Sequence, residues 1–318
     1  MVKNKKISNI ILLAIIVLLP LVIRGSYSRG ILILWAIYAI LALSLNLIVG
    51  YMGLLSFGHA GFFGIGAYTS ALVCLNLGFS FWPALLLTLI VVGVVGLGVG
   101  YFSIRLHGVY FAISTMAFSE IVRLIMTNWM SVTRGPMGLN DIPRPAFFGF
   151  NFSSELSYFY LVVAIAAVLY FIVHIIISSP LGRSFKSIRE NQELSHSIGI
   201  DVAKTKVLAF TVSAMIAGVA GSLYAHYYTV IAPEVSGLFY STVGLIMVIV
   251  GGKGTLLGPV IGAFIFTILP EALRATNQLQ MIVFSLVLIL TVIFLPNGLM
   301  SILKLSWGKQ SRNKMVGR

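Results

Sequence analysis

Ten runs of apolar residues, most of them close to twenty long and nearly free of charge, recur along this chain. Hydrocarbon offers backbone groups no hydrogen bonds, so runs of this kind fold as helices that pair their own N–H and C=O groups. The predicted spans are 7–24, 30–49, 58–77, 81–103, 109–127, 156–177, 205–228, 237–251, 257–271 and 279–295. The eighth and ninth are short and glycine-rich, which makes one of them a candidate re-entrant segment. With 59% hydrophobic and only 9% charged residues, the chain lies far below the charged fraction of about a quarter found in soluble domains. The expected class is an all-α polytopic membrane protein of about ten transmembrane helices.

The N-terminus carries Lys3, Lys5 and Lys6 before its first apolar run, and Gly25, Ser26 and Ser28 after it. This has the outline of a signal peptide. The run is nonetheless about long enough to span, and another follows at once, so it reads as an uncleaved first helix. A net charge of +13 raises the question of nucleic acid, but the 21 basic residues lie between apolar runs rather than on one solvated face. Membrane lipids, not nucleic acid, are the expected surroundings. With the N-terminus inside, ten spans place 15 basic residues on the inner side and 6 on the outer. That bias predicts two cytosolic termini. The single cysteine, Cys74, excludes an intrachain disulfide and reads as a small buried hydrophobe.

Two connections are long. Residues 128–155 form a predicted external loop with prolines at 136, 143 and 145, ordered by turns and placed to cap a pore. Residues 178–206 form a predicted cytosolic loop. Within it, 183–198 sets Phe185, Ile188, Leu194 and Ile198 among charges, as in a short surface helix ended by Gly199. Periodicity alone leaves open whether such a helix lies on anionic lipid or docks a cytosolic partner.

The stretch 50–68, GYMGLLSFGHAGFFGIGAY, interrupts an apolar run with six glycines and places Ser56 and His59 between them. Glycine permits close backbone approach and a broken helix that frees polar groups to line a path. Residues 53–61 are echoed by 254–262, each leading from the inner side into a span. The echo fits two related five-helix halves arranged about the external loop.

Other motifs carry less. The phrase VGGKGT at 250–255 is no phosphate-binding loop, because Met247 stands where its first glycine belongs and Gly254 follows the lysine. The five histidines lack metal-ligand spacing, and no nucleophile elbow occurs, so enzymatic chemistry is not expected. Glu120 and Arg123 are three apart on one span, spaced to pair, either as a self-neutralising couple or as part of a substrate vestibule. Ser44 and Asn46 suit hydrogen bonding between helices, and small residues at 93/96/100, 217/221 and 258/262 suit close helix packing.

Six phrases in order, at 50–73, 108–125, 133–139, 182–225, 251–263 and 294–299, resemble the permease subunits of bacterial branched-chain amino acid ABC importers, most of all the M-type member. The resemblance implies a multi-pass subunit of the bacterial cytoplasmic membrane that moves substrate by alternating access. Its implied partners are a homologous second permease, two cytosolic ATPase subunits and an extracytoplasmic substrate-binding protein. ATP and magnesium would then be held by the partners, and no cofactor by this chain. It also implies that 182–199 is a coupling segment docking on the ATPase through Phe185, Arg189, Glu190, Ser195 and Gly199. Ser56, His59, Thr69 and Glu120 become candidates for the translocation pathway. Permeases for urea, short amides, nucleosides or simple sugars share parts of this pattern. An ion-coupled secondary transporter is the competitor from another class; it would need buried carboxylates, of which Glu120 is the clear one and already sits near Arg123.

Overall fold

The computed structural model describes residues 25–272 apart from 104, 105, 107 and 148, together with 20, 286, 289, 293, 294 and 298–300. The spans predicted at 7–24 and 279–295 lie almost wholly outside the described residues. The remaining eight apolar runs are helical. They are α1 (Ser26–Asn46), α2 (His59–Leu77), α3 (Phe81–Ser103), α4 (Val109–Asn128), α5 (Glu155–Ser178), α8 (Val202–Tyr228), α9 (Leu238–Gly251) and α10 (Gly258–Ala272). Two shorter helices, α6 (Pro180–Glu190) and α7 (Gln192–Ser197), stand between α5 and α8. The chain is an all-α polytopic membrane protein: among the described residues, six helices are long and apolar enough to cross a bilayer. The helices α9 and α10, at 14 and 15 residues, rise only roughly 21–23 Å and fall short of a bilayer core of about 30 Å. They pack on each other as a hairpin against α1.

Burial sorts the helices into centre and rim. The most apolar windows of α1 and α8 are 83% and 78% buried, those of α3, α4 and α5 only 28%, 33% and 22%. α8 lies against α1, α2 and α3, while α1 also meets α5, α9 and α10. Apolar association has little driving force in lipid, so close van der Waals packing must hold the centre together. The α2–α8 contact shows how: a methyl at Gly66 would collide with the Gly218 carbonyl, and one at Gly221 with the Phe63 carbonyl.

The 128–155 connection is ordered by pairing rather than by length. Leu139 and Ile231 exchange backbone hydrogen bonds of 2.9 Å, Trp82 Nε1 donates to the Ala146 carbonyl at 3.1 Å, and His226 Nδ1 meets the Pro143 carbonyl at 2.6 Å. A two-residue hairpin, β1 (Ala146–Phe147) with β2 (Phe150–Asn151), completes it.

At the opposite end, the helix expected over 183–198 is two helices. Asn191 takes an extended backbone (φ −157°, ψ 117°), and its side chain accepts the Leu194 N–H to cap α7. Asparagine competes with the helix backbone in this way, so the break has a local cause. Gly199, at φ +87°, ends α7.

Candidate functional site

Three segments meet at the end of the bundle that carries α6 and α7. The first is the end of α1, which widens at Leu47–Tyr51 into a π-helical turn before the chain turns away at Gly53, φ +73°. A helix end leaves carbonyls without intrahelical partners. One of them, Gly50 O, accepts Arg189 Nη1 of α6 at 2.6 Å. Lys186, also on α6, sits 5.9 Å over the Tyr51 ring. Cations at the C-terminal end of a helix are favoured by its dipole. The hydrogen bond from a charged donor is worth roughly 1.5–3 kcal/mol, at the lower end for an exposed side chain such as Arg189.

The third segment is the turn between α9 and α10. Asn46 is fully buried; its amide donates to the Thr255 carbonyl at 2.8 Å and accepts the Gly254 N–H at 2.9 Å. There is no room for side chains around this clamp. A methyl at Gly50 would overlap Asn46 Oδ1 and the Gly254 nitrogen, and one at Gly254 would lie 3.0 Å from both Arg189 Nη1 and Gly50 O. Gly53 and Gly254, the first residues of the two echoed phrases, share φ values of +73° and +74°. The repeat is thus a repeated structural device: each phrase leaves a helix through a left-handed glycine and enters the next helix, and the two breaks meet at Asn46, Gly50 and Arg189.

Just past the first break, His59 opens α2 with both ring nitrogens engaged. Ser213 Oγ donates to the Ser44 carbonyl at 2.6 Å, so it accepts from His59 Nε2 at 2.6 Å. Ser56 Oγ then donates to Nδ1 at 3.2 Å. This is a neutral imidazole tying α1, α2 and α8 together, and all three side chains are fully buried. Replacing His59 by Ala leaves a cavity and an unpaired serine, an expected loss of roughly 3 kcal/mol. Thermal unfolding of the purified permease measures it, and an unchanged midpoint would refute the structural role.

Among known proteins, the family model described as the permease component of branched-chain amino acid transport systems matches residues 28–292. The chain belongs to this permease family. The branched-chain amino acid permease LivM of Salmonella typhimurium is 34% identical over 93% of this chain and 75% of its own length. LivM of Escherichia coli is 32% identical over the same shares, and Escherichia coli LivH is 24% identical over 83% of this chain and 91% of its own length. No solved structure matches the chain.

In this permease the residues singled out between α5 and α8 face different ways. Phe185 and Ser195 are buried, Phe185 in the apolar core and Ser195 against Ser187 at 2.8 Å. Arg189 is spent on Gly50, whereas Glu190 and Gly199 are exposed. The exposed apolar side chains there are Leu181, Leu194 and Ile198, the last two the most exposed at 63% and 66%. Of the pathway candidates, Ser56 and His59 are enclosed within the permease, Thr69 is half-buried on α2, and Glu120 is half-buried on α4 and paired with Arg123 at 2.5 Å. Asn46 carries more of this site than its expected packing role. Its partners lie 208 and 209 positions away, beyond the reach of any local pattern.

Proposed function

We propose that this permease is one transmembrane half of an ATP-driven importer for branched-chain amino acids, moving substrate from an extracytoplasmic binding protein to the cytoplasm by alternating access. The observation that carries the reading is the bond from Arg189, on a helix outside the spans, to Gly50 at the break of a central span. Such a link lets force applied to α6 and α7 reach the two helix breaks. Relatives named for branched-chain amino acid transport as LivM and LivH support a pairing of this chain with a homologous second permease.

On this reading the chain sits in the cytoplasmic membrane with both termini cytosolic, as the 15-to-6 basic bias supports. It binds no cofactor, and two cytosolic ATPase subunits hold ATP and magnesium. They dock on the exposed Leu194 and Ile198, flanked by Glu190 and Glu193, in the manner of an apolar helix face entering a groove. Closure of the ATPases shifts the pore only if they bind its two states unequally.

Uptake of radiolabelled leucine with and without this subunit tests the reading: uptake is expected to require it. Unchanged leucine uptake, with loss of urea, amide, nucleoside or sugar uptake instead, would reassign the substrate. Leu194→Asp with Ile198→Asp is expected to abolish co-purification of the ATPases, since neither side chain supports the fold. Retained co-purification would move the docking surface elsewhere.

A further inference from the structure

The 3-10 turn Pro233–Ser236, which joins α8 to α9, is wedged between α2 and α4. Contact there is close: a methyl at Gly64 of α2 would overlap the Ser236 hydroxyl, and Ser236 Oγ lies 3.2 Å from Met126 Sδ of α4. Tyr68 stands one turn beyond Gly64 on the same face of α2. It is 3% exposed, and its hydroxyl has no hydrogen-bond partner among the described residues. A buried hydroxyl left unpaired costs stability, so it asks for a ligand.

Charged groups surround the same junction. On α4, Arg123 is bound side-on by Glu120, whose carboxylate accepts Nε at 3.0–3.1 Å and Nη2 at 2.5 Å. That geometry leaves the other edge of the guanidinium, Nη1 with the second Nη2 hydrogen, without a partner among the described residues. Arg123 reaches the turn itself, since a methyl at Gly237 would lie 3.8 Å from its Cδ and 2.9 Å from the Glu234 carbonyl. Glu234 is exposed and lies within electrostatic reach of both Arg123 and Tyr68. Yet Glu120 and Arg123 sit mid-helix on a face otherwise made of exposed Ile113, Met116, Ile121 and Leu124. Charged groups within a span favour a protein- or water-lined face over lipid, which suits this part of α4 to a watery passage.

From this juxtaposition we infer that the α2–α4–Pro233 junction binds the ammonium and carboxylate of a zwitterionic amino acid in transit. The free edge of Arg123 takes the carboxylate as a fork, with the Tyr68 hydroxyl donating a further hydrogen bond, and Glu234 takes the ammonium. Glu120 is a positioning residue that holds the guanidinium with that edge outward. The site rests on the amino-acid importer reading above and specifies which group of the substrate each side chain handles.

The test uses the complete importer, with second permease, ATPases and binding protein, reconstituted in proteoliposomes and read as leucine moved per ATP hydrolysed. Arg123→Gln and Glu234→Gln are each expected to lower that ratio about tenfold, the scale of one charge-assisted hydrogen bond. Arg123→Lys is expected not to restore it, because a point charge lacks the fork. Tyr68→Phe is the decisive variant: with the unpaired hydroxyl removed, thermal stability is expected to stay level or rise while leucine per ATP falls. A wild-type complex that moves leucine, with R123Q, E234Q and Y68F all moving as much per ATP, would overturn the site alone. A wild-type complex that moves only uncharged solutes would overturn the amino-acid reading and the site with it.

Discussion

Arg189→Ala is expected to lower ATP-driven uptake at least about tenfold while leaving the ATPases bound. The reason lies in where the side chain goes. A residue on a docking helix would ordinarily be assigned to the partner, but Arg189 turns inward and donates to Gly50 at 2.6 Å, while its aliphatic stem covers Gly53, where a methyl would lie 2.9 Å from Arg189 Cγ. With Ala, Gly50 O loses its charged donor, and α6 is held to the end of α1 by the Lys186–Tyr51 contact and by apolar packing. The bond itself contributes roughly 1.5 kcal/mol, since Arg189 is exposed, a small fraction of fold stability but a large one of any equilibrium between two pore states. Shifting a two-state balance by ~1.4 kcal/mol already changes its ratio tenfold. ATP hydrolysis should therefore continue with little leucine moved. Arg189→Lys, able to donate one hydrogen bond to the same carbonyl, is expected to recover part of the uptake. Loss of ATPase co-purification in Arg189→Ala would return this residue to the docking surface, and unchanged uptake per ATP would remove the link altogether.

The spanning helices were legible because burial in lipid writes itself into composition. The run predicted at 81–103 is Phe81–Ser103, and those predicted at 58–77 and 237–251 begin or end within a residue of α2 and α9. The end of α1 was not legible. Leu47, Ile48, Val49, Gly50 and Tyr51 are apolar or small like the helix before them, and nothing in that composition separates a π-helical turn from an α-helical one. The segment between α5 and α8 was legible as amphipathic, yet periodicity does not say which side owns the apolar face. Phe185 and Ile188 are claimed by the permease's own core, and the Asn191 break turns Leu194 and Ile198 outward. The glycine echo was visible as a pattern of letters, but its meaning needed three dimensions: Gly254 meets Asn46 across 208 positions.

That long-range clamp carries the second large expectation. Asn46→Ala is expected to destabilise the permease by ~1–3 kcal/mol for each of the two backbone groups it orphans, the Gly254 N–H and the Thr255 carbonyl. Asn46→Asp separates the two bonds. A charged carboxylate still accepts the Gly254 N–H, but it sets an oxygen against the Thr255 carbonyl and brings a charge into a fully buried position. Only the protonated acid carries a donor for Thr255 and an acceptor for Gly254 together, as the amide does. Uptake by Asn46→Asp, scaled to the wild type at each pH, is therefore expected to rise as the pH falls and to be lost as it rises, while Asn46→Ala stays low throughout. A flat ratio across pH would mean that the Thr255 bond contributes nothing. Parallel loss in both variants at every pH would instead make Asn46 a matter of shape. Because this one amide holds the Gly254–Thr255 turn while Gly50 beside it accepts Arg189, the pH recovery also reads out whether the two helix breaks move as a unit.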